Sequence, residues 1–301
     1  MKHIIHVPIA ISLFFAVGCN NHPENQNKME TEVKTTVASV DTAISKDGTS
    51  IAYEKTGSGP NIILINGALA HRKSYAGNDL PARLSKDFTV IIYDRRGRGE
   101  SGDTKPYSVE KEIEDIEAII DETGGSAHLF GSSSGAALAL LAAERLGPKK
   151  VTQLALYEPP YGSGTKGDIA KEKQKIRELI GQGKPAEAIS FFMEKRGTPP
   201  DKMEEMKKSP AWNDMVRTGH TLVYDFEVLG DGTIPAATAK NIAVPTLVMN
   251  GDKSFDFMSA TADSIGKTIP GALRKSLKDQ GHNASAESLA PLLLAFFGSR
   301  P

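Results

Sequence analysis

The chain reads as an α/β protein, a mostly parallel sheet with helices on both faces and one helical insertion, and three observations predict this. Short β-branched runs, NIILIN at residues 61–66 and FTVIIYD at 88–94, are apolar at nearly every position, as strands buried from both sides of a sheet are. Between and after such runs come stretches of helical periodicity, and strands separated by helices pair in parallel. From residue 161 to 239 no strand-like run occurs while helical patterns continue, which marks an insertion.

Ahead of the sheet stands MKHIIHVPIAISLFFAVGC, residues 1–19. Its short basic start, an apolar stretch too brief to span a bilayer comfortably, and small residues before Cys19 give residues 1–18 the pattern of a secretory signal. Cys19 is the only cysteine, so no internal disulfide can form. Its place after Ala-Val-Gly resembles the lipobox of bacterial lipoproteins, although Ala16 stands where that family usually has a larger aliphatic residue. That resemblance implies an exported protein, lipidated on Cys19 and held at a bacterial membrane by acyl chains rather than by a spanning helix. The alternative is an ordinary signal peptide with an incidental cysteine. Residues 19–40 are polar, Asn-rich and without apolar periodicity, too poor in buriable surface to offset their ordering entropy, and read as a flexible tether.

The folded elements follow in order. SIAYEKTG at 50–57 alternates like a half-buried strand and runs into a Gly-Ser-Gly-Pro turn, ahead of the two β-branched runs. From Ser108, the residues Val109, Ile113, Ile116 and Ile120 are spaced four, three and four apart, one stripe of a helix that Gly124 and Gly125 stop. AHLF at 127–130 is strand-like, 134–146 helical and VTQLALY at 151–157 strand-like. The insertion has helical candidates around Ile176, Leu179 and Ile180, around Ala188 to Met193 and around Met203 to Met206, punctuated by GTPP and KSP. VPTLVMN at 244–250 and ALRKSL at 272–277 complete the strands, and LAPLLLAFFG at 289–298 closes the chain as a helix. Residues 41–160 and 240–301 thus form one core and 161–239 a cap-like insertion.

Composition narrows the function. With 36 basic and 37 acidic residues intermixed and a formal charge of -1, no basic footprint for nucleic acid stands out. No metal-ligand spacing, P-loop or dinucleotide fingerprint occurs, so no metal or cofactor is expected. The chemistry concentrates instead in HLFGSSSGAALAL at 128–140, where a strand gives way to a helix. G-x-S-x-G fits there in a single register, Gly131 to Gly135, which makes Ser133 the candidate nucleophile on a sharp strand-to-helix turn that only small neighbours tolerate.

With these residues in place, the chain resembles the α/β-hydrolase superfamily over nearly all of 45–298. IILINGALA at 62–70 resembles that family's strand and oxyanion loop, with Asn66 where His is usual and Gly67 retained. YDRRGRGESG at 93–102 resembles its D-x-R-G-x-G-x-S turn, whose Asp94, Arg95 and Arg96 are expected to tie loops together. The resemblance implies an oxyanion hole formed by the backbone N–H groups of Ala68 and Ser134. It also implies the chain order nucleophile, acid, histidine. Only His220 and His282 follow the serine; His220 falls in the insertion, and His282, between the last strand and the last helix, is the candidate base. For the acid, the loop after PTLVMNG offers Ser254 at the family's commonest position, flanked by Asp252 and Asp256, whereas LALYEPP offers Glu158 directly after the preceding strand. Glu158 is the choice, with Asp252 in reserve.

The expected activity is that of a cofactor-free serine hydrolase, carboxylesterase-like, acting on a small-molecule acyl substrate such as an ester or lactone through an acyl-enzyme. A non-catalytic tethered binding protein and a perhydrolase or haloperoxidase activity on the same residues are the alternatives. The insertion carries Trp212 and four of the eight methionines, Met193, Met203, Met206 and Met215. These either form the insertion's own core or line an adaptable wall for an acyl chain.

Overall fold

The computed structural model describes residues 39–75, 78–162 and 166–299. Cys19, the signal-like residues 1–18 and all but the end of the tether lie outside the described residues. Eight strands form one sheet: β1 (Asp41–Ile44), β2 (Ser50–Thr56), β3 (Asn61–Ile65), β4 (Thr89–Tyr93), β5 (Ala127–Ser132), β6 (Val151–Tyr157), β7 (Thr246–Gly251) and β8 (Leu273–Leu277), in the order β1-β2-β4-β3-β5-β6-β7-β8. β1 pairs with β2 and β2 with β4 in antiparallel fashion, and every other pair is parallel.

The two-residue side-chain period of a strand sorts the core into two layers. In β3, Ile63 and Ile65 point to the side packed by Ile113, Ile116 and Ile120 of α2 (Val109–Glu122) and by the alanine-rich α3 (Ser134–Leu146). Ile62 and Leu64 point to the other, where α1 (Leu80–Leu84) and α11 (Ala286–Phe297) supply Leu80, Leu84, Leu289, Leu293 and Phe297. The helix expected from Ser108 is α2, and the one expected over 134–146 is α3. β1 and α1, of four and five residues, are too short to leave a periodic signal in the sequence.

Between β6 and β7 the chain passes through α4 (Lys166–Gly181), α5 (Pro185–Glu194), α6 (Pro200–Lys208), α7 (Pro210–Thr218), α8 (Leu222–Leu229) and α9 (Ala236–Lys240); α10 (Asp256–Thr268) follows β7. α4 to α8 enclose a third apolar cluster of Ile176, Leu179, Ile189, Met203, Trp212, Leu222 and Phe226, with Met193, Met206 and Met215 packed against it and Leu69, from the loop after β3, inserted from the sheet side. Trp212 and all four methionines therefore belong to the insertion's own core or pack on it, as apolar residues at helical spacing usually do. Among the described residues no helix is long and apolar enough to cross a membrane.

Candidate active site

The strand order brings the carboxyl ends of β3, β5, β6, β7 and β8 side by side, and the loops leaving them carry the candidate residues. At the end of β5 the chain reverses within one residue: Ser133 has φ 55° and ψ -129°, a left-handed conformation costly for a residue with a Cβ. Its N–H donates to the Tyr157 carbonyl at 2.9 Å, tying the turn to β6. Glycines make this reversal possible. A Cβ on Gly131 would lie 2.3 Å from the Gly135 carbonyl oxygen, and one on Gly135 would lie 2.2 Å from that of Ile65. Both obstacles are backbone and cannot swing aside, the physical reason for the G-x-S-x-G spacing.

His282, in the loop after β8, places Nε2 3.0 Å from Ser133 Oγ and Nδ1 2.6 Å from Glu158 Oε2. Glu158 follows β6 directly, is fully buried (0 % exposed) and also has a left-handed backbone, φ 50°. Its Oε1 accepts from the Gly251 N–H at 2.8 Å and its Oε2 from Ser254 Oγ at 2.6 Å. Burial pushes this carboxyl upward, but the hydrogen bonds from His282, Ser254 and Gly251 outweigh it and hold the group below the usual carboxylate range. An ionised carboxylate only accepts, so Nδ1 of His282 carries the proton and Nε2 is left to accept from the Ser133 hydroxyl. Phe255 lies against the imidazole, centroids 5.5 Å apart.

The structure thus brings Ser133, His282 and Glu158 into one hydrogen-bonded line. Asp252 is not part of it: that side chain is exposed, and its backbone N–H pairs with the Leu277 carbonyl. Asp256, also exposed, opens α10. Ser254, where the family's commonest acid would stand, is instead a donor to Glu158.

A cavity of about 740 Å³ opens above Ser133 and His282. Ala68 and Ser134 border it beside the serine, and Phe192, Met193 and Phe226 supply part of its wall from the insertion. Met193 is the one methionine of the four that lines it. The loop after β3 crowds the serine so closely that a Cβ on Gly67 would lie 2.9 Å from that of Ser133. Among the described residues no group of three or more His, Cys, Asp or Glu is arranged to hold a metal ion.

Behind this floor lies a buried charge network. Arg95 donates to Glu112 from Nε at 2.8 Å and from Nη2 at 3.0 Å, and to Asp225 of α8 from Nη1 at 2.8 Å. Arg98 Nη2 lies 2.9 Å from both carboxylate oxygens of Asp225, and Ser134 Oγ donates to Asp225 Oδ1 at 2.7 Å. Burial pushes the Asp225 carboxyl up, but Arg98, Arg95 and the Ser134 hydroxyl more than compensate and hold it below its ordinary value. Asp94 accepts from the Arg72 N–H at 2.7 Å and the Glu100 N–H at 2.8 Å, while Arg96 pairs with Asp115 at 2.6 Å and Asp47 at 3.0 Å. Asp94, Arg95 and Arg96 therefore tie loops and helices together. Asp225 and Arg98 are not among the sequence-predicted residues, and Ser254 is one only as the occupant of the family's usual acid position; the available signal for Asp225 is its place among the apolar positions of LVYDFEVL.

Comparisons with known proteins agree with this fold. The structure of an alpha/beta hydrolase from Sphaerobacter thermophilus DSM 20745 is 44% identical and superposes with a TM-score of 0.77, over 85% of this chain and 100% of that one. The uncharacterized hydrolase YraK of Bacillus subtilis (strain 168) is 30% identical over 149 residues, 48% of this chain and 54% of that protein, so the match spans about half the length of that relative. The serine hydrolase BPHL of Homo sapiens is 24% identical over 259 residues, 83% of this chain and 81% of that protein. The model of the alpha/beta hydrolase family matches residues 62–292, from β3 through the His282 loop into α11. With most of the chain inside that match, and an eight-stranded sheet that sets a serine elbow beside a histidine, this protein belongs to the alpha/beta hydrolase family.

Proposed function

We propose that this alpha/beta hydrolase is a serine carboxylesterase that cleaves small to medium esters or lactones through an acyl-enzyme on Ser133. The observation that carries this is the continuous line from Glu158 Oε2 to His282 Nδ1, 2.6 Å, and from His282 Nε2 to Ser133 Oγ, 3.0 Å, at a strained elbow facing a cavity. Nε2 takes the hydroxyl proton as Oγ bonds to the acyl carbon, and the carbonyl electron pair moves to its oxygen. The N–H groups of Ala68 and Ser134 receive that charge. Collapse expels the alcohol, which leaves with the proton held on Nε2. Water then attacks the acyl-enzyme by the same route, so each turnover consumes one water and returns the histidine neutral. Glu158 fixes the imidazole tautomer throughout. The side chains Phe192, Met193 and Phe226 suit an apolar acyl or alcohol portion. The signal-like residues ahead of Cys19 support the further proposal that the enzyme is exported and held at a bacterial membrane by lipid on Cys19.

The test is covalent labelling of the full chain with a fluorophosphonate probe, followed by peptide mass mapping. Modification at Ser133, absent from His282→Ala, is the expected result. Folded wild-type protein that neither takes up the probe nor hydrolyses p-nitrophenyl esters would overturn the proposal.

A further inference from the structure

We infer that Arg98, clamped by the insertion carboxylate Asp225, is a positioning residue that aims the Ala68 N–H at the substrate oxygen. This inference rests on the serine-hydrolase function proposed above and extends it to what holds the oxyanion hole in shape.

Arg98 is fully buried, 1% exposed, and its fork is divided between two tasks. Nη2 grips Asp225, while Nη1 donates to the Gly67 carbonyl at 2.6 Å and the Ala70 carbonyl at 3.1 Å. The Gly67 carbonyl belongs to the same peptide unit as the Ala68 N–H. In a planar trans peptide these two groups point in opposite directions, so a donor that anchors the carbonyl fixes the direction of the N–H. A cationic donor on the carbonyl also polarises the amide and strengthens the N–H as a donor. The second amide, that of Ser134, is held from the same point, because the Ser134 hydroxyl bonds Asp225 Oδ1 at 2.7 Å. One carboxylate on α8 therefore secures both halves of the hole. Four buried charges, Arg95, Arg98, Glu112 and Asp225, each at most 2% exposed, are an expensive way to gain stability alone, since apolar side chains of similar volume do as well. Their arrangement around two peptide units gives the expense a purpose.

The experiment compares full-length wild type with the double variant Arg98→Met/Asp225→Asn. The double variant removes one cation and one anion together and leaves the Arg95–Glu112 pair intact, so the buried charge sum is unchanged. Folding is checked by circular dichroism, steady-state hydrolysis is measured with p-nitrophenyl butyrate, and phosphonylation of Ser133 is timed with a fluorophosphonate. Loss of one oxyanion donor costs on the order of a hundredfold or more in kcat, and the charge it serves exists only in the transition state. The expected result is therefore a fall of ~30-fold to ~300-fold in kcat and in the phosphonylation rate, with KM within about twofold. A folded double variant with kcat within about threefold of wild type, or a loss that falls wholly on KM, overturns the inference. If the double variant does not fold, Arg98→Lys, which keeps every charge, is read in the same way. A point ammonium cannot reproduce the fork across a carboxylate and two carbonyls, so kcat should fall about tenfold; an unchanged kcat overturns the inference. A wild-type chain inert to both ester and probe defeats the serine-hydrolase function first and this inference with it, a failure visible before any variant is compared.

Discussion

Replacing Glu158 by glutamine tests the candidate site most sharply, because three donors converge on that one carboxylate: the His282 ring at 2.6 Å, the Ser254 hydroxyl at 2.6 Å and the Gly251 N–H at 2.8 Å. An amide has a single oxygen. If that oxygen stays opposite Gly251, the NH2 faces His282, Nδ1 must accept, and the ring proton moves to Nε2, where it can no longer take the proton of Ser133. If the amide turns over, the NH2 meets the Gly251 N–H in a fully buried position, a donor-to-donor clash costing about 1–3 kcal/mol. The first arrangement removes the base; the second keeps Nε2 free, but only at that cost and without the negative charge that stabilises the imidazolium. A histidine held in the wrong tautomer costs about 10³- to 10⁴-fold in kcat, or about 4–5.5 kcal/mol at about 1.4 kcal/mol per tenfold. Steady-state hydrolysis of p-nitrophenyl butyrate by the full chain measures it, with KM expected to be nearly unchanged. Asp252→Asn, on an exposed side chain outside the line, should leave kcat within about twofold. Because Ser254 Oγ and His282 Nδ1 meet the same oxygen of Glu158, a carboxylate at position 254 lies within reach of the ring. Glu158→Gln/Ser254→Asp should therefore recover roughly tenfold or more over Glu158→Gln, a partial rescue judged against the same full loss. Glu158→Gln retaining more than about a tenth of wild-type kcat, or Asp252→Asn losing tenfold, would refute the assignment of the acid.

Three other outcomes are expected. Gly135→Ala would press a methyl group to 2.2 Å from the Ile65 carbonyl and 2.6 Å from that of Asn66, so urea denaturation should show a loss of about 3 kcal/mol or more, or no folded protein. Burial lowers the His128 imidazole to about 4 from its ordinary 6.5. The unfolded chain then binds the proton that the folded one refuses, so this contribution is complete above pH 6.5, fades as pH falls and is gone near 4. It amounts to about 2 kcal/mol at most, discounted for the ring's partial exposure. His128→Asn should flatten the slope of stability against pH across that window, as urea titrations at several pH values would show. Cys19→Ala should move the protein from the detergent-soluble membrane fraction to the soluble one, and identical fractionation of the two would count against lipid attachment.

What the sequence disclosed depends on how local each constraint is. The elbow was legible because its cause, backbone crowding around Gly131 and Gly135, lies within five consecutive residues. His282 was legible through chain order, and Glu158 through its place at the end of a strand-like run. The choice between Glu158 and Asp252 needed the fold, since it turns on β6 and β7 lying side by side with Gly251 and Ser254 facing Glu158. The Arg98–Asp225 pair was out of reach for a different reason: its members are 127 positions apart, and nothing in the weakly periodic insertion fixes which way α8 presents Asp225. Trp212 and the methionines illustrate the same limit, with composition naming the residues and only packing showing that all four methionines sit on the insertion's core while Met193 also lines the cavity.

An insertion between two strands of a hydrolase sheet invites treatment as an exchangeable module, to be swapped between relatives so that one scaffold accepts a new substrate. The carboxylate on α8 argues against free exchange here. A chimera whose donor insertion lacks an acid facing Arg98 inherits a stranded buried cation there, while Arg95 keeps only Glu112, so it should lose soluble expression before any change of preference can be measured. Grafts that carry the acid across, or that neutralise Arg98 at the same time, are the ones expected to survive. By the same coupling, a substitution at position 225 should be tolerated only together with a matching change at position 98.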